Sequence, residues 1–153
     1  MGRAGFYEIR SSKIRFGKDG RWYADDEPIV NERIASLLSR HLVREPDGTY
    51  AVRIGWDRAP VEVEDTPFVV TRVDGDGEKG FVLTLNDGTT EPLDPTTLRV
   101  GPDGALSCAV KGGAERARFL RGPHAEIASR IVPSEDGGYV LRISGREYRV
   151  DEA

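Results

Sequence analysis

The sequence predicts an α+β protein, built as two small antiparallel-sheet domains related by an internal helix–hairpin repeat. Three observations lead there. Most of the chain reads as short stretches of alternating apolar and polar residues, the period of a half-buried strand. Asp-Gly recurs at 19–20, 47–48, 76–77, 87–88, 103–104 and 136–137, and each pair makes a positive backbone dihedral cheap and so marks a turn. Only two segments carry helical spacing, and few helices among many strands is the α+β pattern.

In order, FYEIR (6–10) and KIRFGKDGRWYA (13–24) open the chain, the second folding as a hairpin about Asp19-Gly20. ADDEPI (24–29) is a charged turn without EF-hand spacing. NERIASLLSRHLV (31–43) is the first helix, with Asn31 as N-cap and Ile34, Leu37, Leu38 and Leu42 on one stripe. Strands follow at 49–54, 61–64, 68–73, 81–85, 97–100, 105–110 and 116–120, and DGDGEKG (74–80) is a loop tip. PHAEIASRIV (123–132) is the second helix, opened by Pro123, ended by Pro133, with Ile127, Ile131 and Val132 inward. Strands at 139–143 and 146–150 finish the chain.

The repeat lies in residues 34–63 and 127–150. Both begin Ile-Ala-Ser, pass an acidic Pro-containing turn, and enter a Tyr-led strand. Tyr50, Val52 and Ile54 match Tyr139, Leu141 and Ile143 in phase, with Arg53 and Arg142 on the opposite face. Two copies imply two domains, taken as 1–65 and 66–153, and a cleft between copies is a common place for a ligand.

Bulk properties exclude several classes. The chain has 153 residues, 38% hydrophobic and 31% charged, with net charge -4. That is too apolar for wholesale disorder. Net acidity argues against a general nucleic-acid polymer or membrane-surface binder. No stretch approaches the roughly 18 apolar residues of a membrane span, and MGRAGFYEIRSS lacks the apolar core of a signal peptide. Phe6 stands where a myristoylation motif wants Ser or Thr. A cytoplasmic location is expected. One cysteine, Cys108, excludes an intramolecular disulfide and reads as a buried strand thiol. His41 and His124 are far apart in sequence, so no metal site and no cofactor are expected. Ser39 and His41 point to different helix faces and make poor catalytic partners.

VKGGAERARFLRG (110–122) gathers Lys111, Arg116, Arg118 and Arg121 beside Gly112-Gly113 in an acidic chain. Glycines after a strand let backbone N–H groups form an anion nest. Strand phase puts Arg116 and Arg118 on one face, and planar Arg forks suit phosphate or carboxylate. The plainer reading is a Gly-Gly hairpin whose arginines pair with surface carboxylates. There is no P-loop pattern. In VEVEDTPFVV (61–70), Glu62 and Glu64 share a face and Asp65 precedes a turn. Asp65 either caps that turn or holds an arginine of the 110–122 segment, and Phe68 supplies an apolar floor or core. Trp22 and Trp56 read as buried core rather than stacking platforms.

These strings together resemble the bacterial family known as domain of unknown function 1285. That family carries Asp-Gly-x-Trp, then Pro-Ile, a VEDAPFV-like string, and Val-Arg-Gly-Gly followed by Glu and Arg. Here the matches are Asp19, Gly20 and Trp22; Pro28 and Ile29; Val63 to Val69, with Thr66 in place of Ala; and Val110, Lys111, Gly112, Gly113, Glu115 and Arg118. Lys111 departs from the usual Arg, and one extra residue lets Arg116 and Arg118 compete for one position. The resemblance runs from about Ile14 to Val150. It implies a duplicated two-domain fold whose C-terminal half is loosely a pleckstrin-homology (PH-like) barrel. It also implies a non-catalytic ligand-binding or sensory protein, taking a small anionic, nucleotide-type ligand at the domain interface in a signalling role. The expected ligand residues are Lys111, Gly112, Gly113, Arg116, Arg118, Asp65 and Phe68. The alternative is a protein-interaction adaptor using exposed sheet edges, with a protein partner or a homodimer. An enzyme using Glu64 and Asp65 is a third class.

Overall fold

The computed structural model describes residues 11–152; the strand expected at 6–10 lies outside them. The chain divides into two compact units, Met1–Pro67 with Asn86–Gly88, and Phe68–Leu85 with Thr89–Ala153.

Among its described residues, the first unit holds a six-stranded sheet and one helix. Its strands are β1 (Ile14–Phe16), β2 (Trp22–Ala24), β3 (Glu27–Pro28), β4 (Leu42–Arg44), β5 (Tyr50–Ile54) and β6 (Asp57–Val63). They lie in the order β3-β2-β1-β6-β5-β4. Asp25 and Asp26 both take positive φ, which closes the tight turn between β2 and β3. Helix α1 (Glu32–Arg40) begins where Asn31 accepts from the N–H groups of Arg33 and Ile34. The core is Ile14, Phe16, Trp22, Leu38, Val52, Ala59 and Val61. Trp22 tilts against Phe16 with ring centroids 4.9 Å apart. Its Nε1–H donates to buried Ser39 Oγ at 2.9 Å, and Asn86 Nδ2 donates to the same oxygen at 2.8 Å.

The second unit carries β7 (Phe68–Asp76), β8 (Gly80–Leu85), β9 (Thr90–Pro92), a 3₁₀ turn (Pro95–Thr97), β10 (Arg99–Val100), β11 (Leu106–Val110), β12 (Glu115–Phe119), helix α2 (Arg121–Ala128), β13 (Ile131–Pro133), β14 (Tyr139–Ile143), β15 (Arg146–Arg149) and β16 (Asp151–Glu152). Seven strands form one sheet, β16-β10-β11-β12-β7-β8-β9, and β13-β14-β15 form a smaller one. One cluster fills this unit, including Val70, Phe81, Leu83, Leu98, Cys108, Ala117, Ile127 and Leu141.

Three expectations need correction. The two large sheets are mixed rather than antiparallel, because β1 pairs with β6, β7 with β12 and β10 with β16 in parallel, while β13-β14-β15 is antiparallel as expected. Such partners lie far apart in sequence across crossovers, where local alternation carries no signal. Neither sheet of the second unit closes into the expected barrel, since each strand order ends in free edges. Both helices also stop early. Leu42 leaves the helical stripe to pair with Val52, and Ile131 and Val132 pair with Leu141 and Val140. In each unit, then, a helix is followed by a three-stranded antiparallel meander, β4-β5-β6 or β13-β14-β15.

Candidate functional site

The double-glycine turn joins β11 to β12. Lys111, Gly112 and Gly113 all have positive φ, at 56°, 68° and 90°. Glycine suits that region and lysine pays for it with strain. Two of the loop's N–H groups bond within the turn. The Gly113 N–H bonds Val110 O and the Ala114 N–H bonds Lys111 O. The Lys111 N–H is shared between both carboxylate oxygens of Glu91, each at 3.1 Å. A side-chain carboxylate therefore already sits where the nest reading puts a ligand. Lys111 Nζ donates to Thr89 Oγ1 at 2.9 Å and lies 5.0 Å from the Phe68 ring centroid. Lys111 and Phe68, two of the expected residues, are thus brought together as a cation–π pair.

The arginines extend from the face of the seven-stranded sheet opposite its core. Ala117 and Phe119 point inward and are buried, while Arg116 and Arg118 alternate outward and are half-buried. Arg118 lies opposite Ser107 on β11 and pairs with Asp103 at 2.9 Å. Asp103 also accepts from the Ala105 N–H, and that bond together with Arg118 holds its carboxyl below the usual range. Arg116 is placed differently. Its Nη2 donates to Ser107 Oγ at 2.7 Å and its Nη1 to Thr97 O at 3.0 Å. Both acceptors are neutral. Burial, and then the charge of Arg99, lower the pKa of its guanidinium. Arg99 lies opposite Ser107 across β10–β11.

The acidic candidates belong to the first unit. Asp65 is exposed in the bend between β6 and β7; the carboxylate that Arg118 takes within its own unit is Asp103. Glu62 pairs with Lys13 at 3.7 Å, and Glu64 with Arg15 at 3.1 Å. Trp22 is core as expected. Trp56 is the reverse: it is 100% exposed, in the turn after Gly55. Among the described residues no group of three or more His, Cys, Asp or Glu is placed to hold a metal. No helix there is long and apolar enough to cross a membrane.

Arg99, Ser107, Thr97 and Glu91 escaped the sequence reading. Arg99 and Ser107 were within reach of it, since both alternate outward beside apolar neighbours in strands that were expected. Their juxtaposition depends on register, which one strand does not reveal.

No family model matches the chain, and no curated protein does. Two solved structures are similar. A DUF1285 family protein from Silicibacter pomeroyi DSS-3 shares 22% identity over 91% of this chain and 79% of that one, with a TM-score of 0.71. A DUF1285 family protein from Shewanella baltica OS155 shares 15% identity over 78% of this chain and 93% of that one, with a TM-score of 0.60. The resemblance first carried by the DGRW, VEDTPFV and VKGG strings is thus met by the fold, and this chain has the architecture of the DUF1285 family proteins.

Proposed function

We propose that this chain is a non-catalytic, sensory binding protein for a small anionic ligand, nucleotide-type ligands included. The single observation that supports this reading is Arg116. It is a half-buried guanidinium whose bonds among the described residues go to neutral oxygens, with a second guanidinium close enough to disfavour its charge. A cation withdrawn from water without a counter-charge is costly, and an arriving anion repays that cost. Arg118 shares its strand face two residues on, where it is paired with Asp103. The binding role therefore moves from the glycine turn to the strand face. We also read the two helix–meander segments as duplicated copies. Their support is the shared order of elements and the matched phase of Tyr50 and Tyr139.

Melting temperature tests the reading, because a ligand that binds only the folded state raises it by mass action. The wild type should melt higher with phosphorylated metabolites, pyrophosphate or citrate, and Arg116→Ala should not respond. A flat wild-type response across that panel would contradict the proposal. It would favour the adaptor reading instead, for which the wholly exposed Trp56 at the β5–β6 turn is the supporting feature.

A further inference from the structure

We propose that Arg99, Ser107 and Arg116 form one seat, and that it takes a phosphate monoester in its dianionic form. This rests on the binding reading above and names the chemistry of that site.

Register brings the three together. Arg99 faces Ser107 across β10–β11, and Arg116 faces Ala109 across β11–β12. Directly opposed residues share a sheet face. Arg116 then lies over β11, reaching Ser107 Oγ with one nitrogen and Thr97 O, beside β10, with another. Two guanidiniums are thereby drawn to one patch; burial, and after it the charge of Arg99, lower the pKa of Arg116.

The donor inventory favours a tetrahedral dianion. A guanidinium has five N–H groups, and Arg116 spends two of its nitrogens on Ser107 and Thr97. Ser107 accepts from Arg116, so its own proton is left to donate. Neither Arg99 nor Arg116 forms an ion pair among the described residues. The nearby carboxylates are engaged elsewhere. Asp103 holds Arg118, and Asp94 caps the 3₁₀ turn through the Thr96 N–H and hydroxyl. Asp151 stands beside Arg99 in register, and its ion pair is with Arg149 at 3.9 Å. Two guanidiniums, Arg116 held by its two bonds and Arg99 exposed on the same face, together with the Ser107 hydroxyl match three oxygens bearing two negative charges. A carboxylate would meet only one plane of donors and neutralise half the charge.

The test is titration calorimetry on the full chain with inorganic phosphate, glycerol 3-phosphate, sulfate and acetate as probes. The second ionisation of a phosphate ester lies near pH 6, while arginine does not titrate in this range. Affinity for glycerol 3-phosphate should therefore rise about tenfold between about pH 5.5 and 8, and sulfate should stay level. Acetate should bind at least about tenfold more weakly than either, the scale of one charge-assisted hydrogen bond. Arg99→Ala should cost glycerol 3-phosphate about tenfold and flatten its pH dependence, and Arg116→Ala should abolish binding. Equal affinity for acetate and glycerol 3-phosphate would overturn the seat. So would an Arg99→Ala variant with unchanged affinity while Arg116→Ala loses it, an outcome that leaves the broader binding reading standing. No anion bound by the folded wild type would overturn both. Phosphatidylcholine vesicles with and without phosphatidic acid separate the two sources of a monoester. Arg99-dependent cosedimentation with phosphatidic acid assigns a lipid headgroup, and its absence beside glycerol 3-phosphate binding assigns a soluble metabolite.

Discussion

Cys108 shows what one side chain's surroundings decide. It sits mid-strand on the core face of β11 and is fully buried. Burial pushes its thiol up to about 12. An unfolded cysteine ionises near pH 8.5. Above that value the unfolded state sheds a proton that the folded state keeps, so stability falls as pH rises toward 12. Cys108→Ala should therefore lose less stability than the wild type between about pH 8 and 10.5 in urea unfolding. Equal slopes for the two proteins would contradict this assignment. The buried thiol was readable from ALSCAV because alternation fixes which residues face inward. The two tryptophans mark the limit of such reading. Trp22 lies inside an alternating run and packs on Phe16. Trp56 follows Gly55, whose φ is +60°, in a turn where alternation stops and the side chain is thrown outward. Ser39 gave no signal, because its importance comes from Trp22 and Asn86, 17 and 47 positions away.

Among the elements, the strands and turns were the most accessible from sequence. Strands β5, β8, β11, β12, β14 and β15 fall where alternation between Gly- or Asp-marked turns put them, and β7 runs three residues further, to Asp76, into the segment expected as a loop tip. In four Asp-Gly turns the aspartate accepts from the N–H two residues on, at Asp19, Asp47, Asp103 and Asp136, and the glycine has positive φ. The helix ends were not accessible. A periodic apolar residue such as Leu42 or Ile131 fits a helix stripe and a strand equally well, and tertiary pairing with β5 or β14 decides. The start of α1 is local and was readable: the Asn31 side chain satisfies two N–H groups that the helix leaves open. Asn31→Ala should cost about 1 kcal/mol of stability, measured by urea unfolding. Asn31→Gly should cost only a few tenths of that, because glycine is itself tolerated at a cap. Equal stability of wild type and Asn31→Ala would show that tertiary contacts, not the cap, hold this end.

Across the whole molecule, the net charge of -4 conceals a local reversal. The seven-stranded sheet sets Arg99, Arg116 and Arg118 on one face. Charge counting along the sequence found two of them, because 116 and 118 alternate within one strand. It missed Arg99, which arrives from a strand of two residues after a 3₁₀ turn. It also set Gly112 and Gly113 beside the arginines as a close backbone approach for the anion; the Lys111 amide next to them is bonded to Glu91. A site assembled across strands is set by register, and register is a property of the folded sheet. The most direct measurement is NMR of the arginine side-chain Nε–H signals during a phosphate titration. The account predicts saturable shifts at Arg116 and Arg99, with Arg72, already paired with Asp74 at 3.0 Å, unmoved. Shifts of equal size at all three, or none at Arg116, would contradict it.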